Sequence, residues 1–214
     1  MKVRKIFSVP ALFLSLLFFV SCFGFDAEIE IRENGAVLNL EYRVSSRLEE
    51  TGKLDGNEQW PMLPAGRRDF ERTAARLKGT HLKSFSSKIT GNDLVTRVSL
   101  EFDSIETLVS FLDAAGEDVS YTTANGKNVL SMTLLRAGGA PRGGEDRSFI
   151  TAAFEGYAAV ISLKSPGAAV VPTDGGGKRI DIPGASVTGG GASFSVPMGD
   201  LLSFGAPVAL EFTW

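Results

Sequence analysis

The stretch Ala27–Val44, AEIEIRENGAVLNLEYRV, decides the fold. Ala27, Ile29 and Ile31 alternate with Glu28, Glu30 and Arg32, and beyond Asn34-Gly35 the residues Leu38, Leu40, Tyr42 and Val44 alternate with Asn39, Glu41 and Arg43. Period-two alternation places one set of side chains on each face of a strand. Two such runs joined across Asn-Gly predict a hairpin, because that pair accepts the positive φ angles of a tight turn. One face is apolar, so the hairpin needs a core to lie against.

Two further hairpins follow the same plan. His81–Thr90 carries Phe85 and Ile89 on one side; Gly91-Asn92 then turns the chain into Leu94, Thr96, Val98, Leu100 and Phe102. The third, Asp118–Ala137, turns at Asn125-Gly126. Between them lie two helices. In RRDFERTAARLKG, Phe70, Ala74 and Leu77 share a face and Gly79 can end the run. In DSIETLVSFLDAAG, Ile105, Leu108, Val109 and Leu112 form the apolar stripe. Asp103 or Ser104 can cap that helix by accepting bonds from free backbone N–H groups, Glu106 completing a box on Asp103, and Gly116 ends it.

The expected class is α+β: an antiparallel sheet built from hairpins with two main helices on one face, in the order ββ-α-ββ-α-ββ, followed by a β-rich, Gly-rich C-terminal part. The domain reading is 1–21 signal peptide, 22–137 hairpin and helix domain, 138–146 Gly-rich linker or loop, and 147–214 C-terminal part packed on the same core. In that last part Arg147 opens a short helix with Phe149, Ala153 and Phe154 as its apolar side. YAAVISLK reads as a strand stopped by Pro166-Gly167, Gly167–Gly191 has room only for short strands, and the strand ending at Trp214 is expected to pair back into the body.

The N-terminus addresses the protein. Lys2, Arg4 and Lys5 precede an apolar run from Ile6 to Val20, and Ser21 stands before Cys22, the single cysteine among 214 residues. Charge, apolar core and small residue in that order form a secretory signal. A small residue directly before cysteine matches cleavage by the lipoprotein signal peptidase, and Phe19 and Val20 resemble the relaxed lipobox of spirochaetes. Two other outcomes fit the same stretch: cleavage near Gly24 or Ala27, or retention of Ile6–Phe25 as an anchor long enough to span a bilayer. The position of Cys22 makes lipidation there the expectation, with the protein in a bacterial cell envelope facing the periplasm or cell surface.

Three of the 22 basic residues lie in the leader, so a chain starting at Cys22 carries 19 against 25 acidic ones, a net charge of about −6. That balance argues against nucleic-acid binding, which needs a basic surface. With Cys22 acylated, the folded part has no thiol for a disulfide or a thiolate metal site.

Catalytic motifs are scarce. His81, the one histidine, opens a strand and no nucleophile-elbow sequence exists, so a surface role is expected. Glu145 and Asp146 are neighbours, whereas glycosidase carboxylates must flank a sugar from separate positions. Asp174–Arg179, DGGGKR, lacks the glycine spacing of a phosphate loop. No calcium-loop spacing appears, and neither metal nor cofactor is expected. The chain reads as non-catalytic.

One binding feature remains. Arg68, Arg72 and Arg76 recur every four residues on the first helix, joined by Arg67 and Lys78, after the apolar knot WPMLP with Trp60, Met62 and Leu63. Asp69 and Glu71 offset the charge, so a solvated helix face accounts for the stripe on charge alone. Beside Trp60 and Met62, however, guanidinium forks can grip phosphate while the apolar residues meet an acyl chain or a sugar face. Trp60, Met62, Arg68, Arg72 and Arg76 are therefore the candidate ligand site.

The lipoprotein start, the ENGA hairpin leading into LEYRVS, the two helix-then-hairpin units and LKSPG together resemble the LppM-type domain of bacterial lipoproteins, over about Phe25 to Thr213. The resemblance implies an amphiphile-binding envelope protein, since one family member is associated with mannosylated phosphoinositides; it carries over no catalytic residues. Family members usually end in a transmembrane helix, and none is read before Trp214, so the Cys22 lipid is expected to be the sole anchor. Expected partners are a membrane and an anionic lipid or glycolipid, or, alternatively, another envelope or host protein met by a structural module. An apolar cavity opening near Arg68 and Arg72 favours the amphiphile; a filled core with an exposed patch favours the protein partner.

Overall fold

The computed structural model describes residues 23–45, 66–113, 118–124, 126–136, 144–188 and 192–214. Strand β1, Phe23–Arg32, turns through Glu33-Asn34 into β2, Gly35–Ser45, one residue earlier than the expected Asn34-Gly35 turn, with Gly35 opening β2 at φ 117°. The two pair antiparallel from Phe23↔Val44 to Arg32↔Gly35. Helix α1, Arg67–Arg76, leads into the hairpin of β3, Thr80–Thr90, and β4, Asp93–Phe102. Helix α2, Ile105–Leu112, precedes β5, Val119–Ala124, and β6, Lys127–Leu135. Helix α3, Gly144–Ala153, then β7, Ala158–Lys164, β8, Ala169–Thr173, β9, Ser186–Thr188, β10, Ala192–Pro197, helix α4, Met198–Leu202, and β11, Val208–Thr213, complete the described elements.

The class is mixed α+β with strands predominant, but the strands form two sheets rather than one. The larger has seven strands in the order β3-β4-β2-β1-β7-β10-β9, and the smaller four in the order β5-β6-β11-β8. The third hairpin thus leaves the sheet of the first two. The larger sheet is also not purely antiparallel, because β7 pairs parallel to β1, Ala27 opposite Ile161. The C-terminal strand lies inside the smaller sheet, between β6 and β8, with Trp214 bonded through its backbone to Asn128 and its ring stacked on Tyr121 at 6.0 Å.

Register explains the core. Across the larger sheet the inward rows read Phe194–Ile161–Ala27–Leu40–Val98–Phe85 and Ala192–Leu163–Ile29–Leu38–Leu100–Leu82. Both sheets bury side chains in one cluster, where Ile29, Leu100, Phe194, Leu130, Leu210 and Phe212 are wholly enclosed. Helix α1 lies on the inward face against β3: Phe70 is buried and its ring meets Phe85 at 6.0 Å. Helix α2 packs between β5 and the β2–β4 pair. Ser104 caps it by accepting from the Thr107 N–H at 3.2 Å, while Asp103 instead meets His81 at 3.1 Å.

Two helix boundaries differ from the sequence reading. Helix α2 stops at Leu112, because the Asp113 carboxylate accepts from the Asp118 and Val119 N–H groups and draws the chain into β5; Gly116 lies outside the described residues. Helix α3 starts at Gly144 rather than Arg147, so Gly144–Asp146 belong to a helix and not to the expected linker. On that helix Phe149 is exposed, and the buried apolar residue is Phe154 just beyond its end. Edge strand β3 carries a bulge at Lys83 and charged side chains, devices that discourage pairing with another strand.

Candidate functional site

Two surfaces bear functional groups. The first is α1. Its spacing of apolar residues turns Phe70 inward, with Ala74 and Leu77 half-buried beside it, so Arg68, Arg72 and Arg76 share the exposed side. None of the three makes an ion pair among the described residues. Arg67 does different work: its guanidinium donates to the Phe85 carbonyl at 3.3 Å, lies 5.5 Å from the Phe85 ring centroid, and meets Glu71 at 3.7 Å. It fastens the helix to the edge strand. Trp60 and Met62, placed beside this stripe on sequence grounds, lie outside the described residues, as does Cys22.

The second surface is the outward face of the larger sheet, which the sequence reading left as plain polar alternation. Cross-strand register assembles it into rows: Asp26–Glu41–Arg97–Ser86 and Glu28–Asn39–Ser99–Ser84. Like charges directly opposite repel, as Asp26 and Glu41 do here. Two guanidinium groups answer that repulsion, Arg97 Nε donating to Glu41 Oε2 at 2.6 Å and Arg43 Nη2 lying 2.9 Å from Glu41 Oε1. Lys164 pairs with Glu28 at 2.7 Å, Asn39 donates to Glu28 at 3.3 Å, and Ser99 donates to Asn39 at 2.8 Å.

Two open grooves cross this face. One, of about 360 Å³, is lined by Asp26, Glu28, Asn39, Glu41, Arg97 and Ser99. The other, of about 310 Å³, lies beside Gly24, Arg43 and Tyr157 and shares Asp26 and Glu41. Partial desolvation in the groove, then the Glu28 and Glu41 charges, raise the Asp26 pKa above the usual aspartate range, with Arg43 opposing. The Arg43 and Arg97 hydrogen bonds outweigh desolvation at Glu41 and hold it below the usual glutamate range. Two carboxylates moved apart in this way are the pattern of an acid–base pair. Glu41 is already held by two arginines, so this face offers a polar ligand mainly hydroxyl, amide and guanidinium groups.

Neither groove is apolar, and neither opens at Arg68 or Arg72. Helix α1 lies on the opposite face of the sheet, with its buried Phe70 ring against Phe85. Two of the remaining motifs make local contacts. His81 and Asp103 pair at the surface, and the Asp174 carboxylate accepts from the Gly176 and Lys178 N–H groups, closing its own loop. Among the described residues no cluster of His, Cys, Asp and Glu could hold a metal, and no helix is long and apolar enough to cross a membrane.

Sequence alone could have nominated Asp26, Glu41 and Arg97 only with the register of three strands in hand, since 15 and 56 positions separate them along the chain. No family model, curated protein or solved structure matches the chain.

Proposed function

We propose that the protein is an exported envelope lipoprotein, held to a membrane by acylation of Cys22 and binding a lipid, glycolipid or other amphiphile without catalysis. The observation that carries this reading is the junction of leader and fold: the apolar run Ile6–Val20 is followed by Ser21-Cys22, and strand β1 is described from Phe23. The exposed Arg68, Arg72 and Arg76 supply a cationic surface that matches an anionic headgroup.

A second reading, a module that pairs with another envelope or host protein, draws on a different observation. The grooves bounded by Asp26, Glu41 and Arg97 are open and polar, and they lie on the face of the sheet away from α1. Native mass spectrometry of the purified protein separates the two. Lipid adducts beyond the covalent acyl group, lost on Arg68→Glu with Arg72→Glu, support the amphiphile. Repeated absence of lipid from preparations that bind a protein partner through the outward face contradicts it.

A further inference from the structure

The inward rows of the larger sheet change character at one end. The last row consists of Phe23, Val44, Leu94 and Ile89, successive partners across β1, β2, β4 and β3. The row before it already carries polar groups, Ser87 and Thr96 sharing a hydrogen bond of 3.0 Å. Val44 is buried, Phe23 and Leu94 are half-buried, and Ile89 is 65% exposed although it points to the inward side. An apolar ladder thus runs out of the core and into solvent. Among the described residues next to it, Lys88 is exposed, Arg43 is drawn to Glu41 on the outward face, and Asp93 is engaged by the Tyr157 hydroxyl at 2.7 Å.

Phe23, the first described residue, lies in this row, and Cys22 is bonded directly to it in the chain. Adjacent Cα atoms lie about 3.8 Å apart, so an acyl anchor on Cys22 holds Phe23 at the level of the headgroups. Strands are spaced about 4.8 Å, which puts Ile89, three strands along, roughly 14 Å to the side of Phe23 and at the same level when the strands stand upright. With no linker to lift it, this end of the sheet must meet the bilayer.

Resting on the lipoprotein reading above, we infer that the Phe23–Val44–Leu94–Ile89 row and the Gly91-Asn92 turn dock in the interfacial layer of the membrane that holds Cys22. The contact is apolar, so it operates on uncharged bilayers and is insensitive to salt. It fixes the orientation of the domain: the β1–β2 turn at Glu33-Asn34, at the far end of the sheet, points away from the lipid, and the grooves of the outward face stand perpendicular to it.

Because Cys22 is the single cysteine and acylation consumes it, an introduced thiol labels one site in the full acylated protein. An environment-sensitive fluorophore is attached at Asn92→Cys, which leaves Ile89 and Leu94 intact, at Ile89→Cys, or at Glu33→Cys, with the protein reconstituted in phosphatidylcholine vesicles. The expected result is a blue shift and at least twofold quenching by nitroxide-bearing lipid at positions 92 and 89, neither changing in 0.5 M salt, with an aqueous spectrum at 33. Equal spectra at 92 and 33, with the acyl group present by intact mass, overturn this inference and leave the lipoprotein reading standing. Absence of the acyl group overturns both. A shift at 92 without vesicles that grows with protein concentration also overturns it, assigning the row to a second copy of the chain.

Discussion

Gly35→Ala tests the turn on which the fold depends. Gly35 has φ 117°, and a Cβ there would lie 2.0 Å from the Phe102 carbonyl oxygen and 3.0 Å from the Asp103 carbonyl carbon. Those are backbone atoms in and just after β4, so no rotamer change relieves the clash. An ordinary contact needs about 3.5 Å, so β2 and β4 must part by roughly 1 Å or more where Ala36 faces Phe102. The positive φ costs about 1–2 kcal/mol and loosening two ladder hydrogen bonds about 1 kcal/mol each, giving ~3–4 kcal/mol. For a domain of this size that lowers Tm by about 6–16 °C. Gly91→Ala is the control: it also has positive φ, at 62°, but no atom lies within 4 Å of its added Cβ. It should cost only the backbone term, about 1–2 kcal/mol. Thermal and urea unfolding followed by circular dichroism measure both. A Gly35→Ala variant no less stable than Gly91→Ala would refute the close β2–β4 approach at the turn.

Other substitutions probe packing and charge. Phe70→Ala removes a side chain that is 1% exposed and should destabilise by about 3–5 kcal/mol; a loss under ~1 kcal/mol by urea titration would mean α1 is not docked on Phe85. Asp26 has a raised pKa, so the folded state binds the proton more tightly than the unfolded chain and stability falls as pH rises through that range. Asp26→Asn should therefore gain stability at pH 7, by about 0.5 kcal/mol after allowance for its exposure, with the gain vanishing near pH 3. A loss at pH 7 would show that the carboxylate is needed in its charged form. Helix α1 runs from the Phe85 carbonyl toward Thr80, away from the Cys22 end of the sheet. Arg68→Glu should thus weaken the extra affinity for anionic over neutral vesicles more than Arg76→Glu, which stands about 12 Å further along the helix; the reverse order would place the membrane elsewhere.

Local chemistry made much of the fold legible. Gly91-Asn92 declared its hairpin through turn geometry, Asn34-Gly35 marked the first hairpin one residue late, and the spacing of Phe70, Ala74 and Leu77 declared α1. What escaped is non-local. Nothing within Ala158–Lys164 states that it will join β1 in parallel, and nothing within β5 and β6 states that the free edge of β6 will pair with β11 instead of extending the first sheet. Partner choice depends on where the helices lie and which edges they leave open. The outward face escaped for the same reason, since Asp26, Glu41 and Arg97 meet only through register. The arginine stripe was legible from its period of four, but its distance from both grooves was not, because only packing of Phe70 against Phe85 sets which side of the sheet α1 covers.

Anchoring through Cys22 is the central claim, and it is tested most directly by expressing the full chain in a bacterial host with radiolabelled palmitate and measuring the mass of the processed protein. The wild type should incorporate label, partition with the membrane and begin at an acylated Cys22, while Cys22→Ser should lose the label and change in processed mass. Labelling that persists in Cys22→Ser, or a wild-type protein that is unlabelled and begins at Gly24 or Ala27, would contradict it.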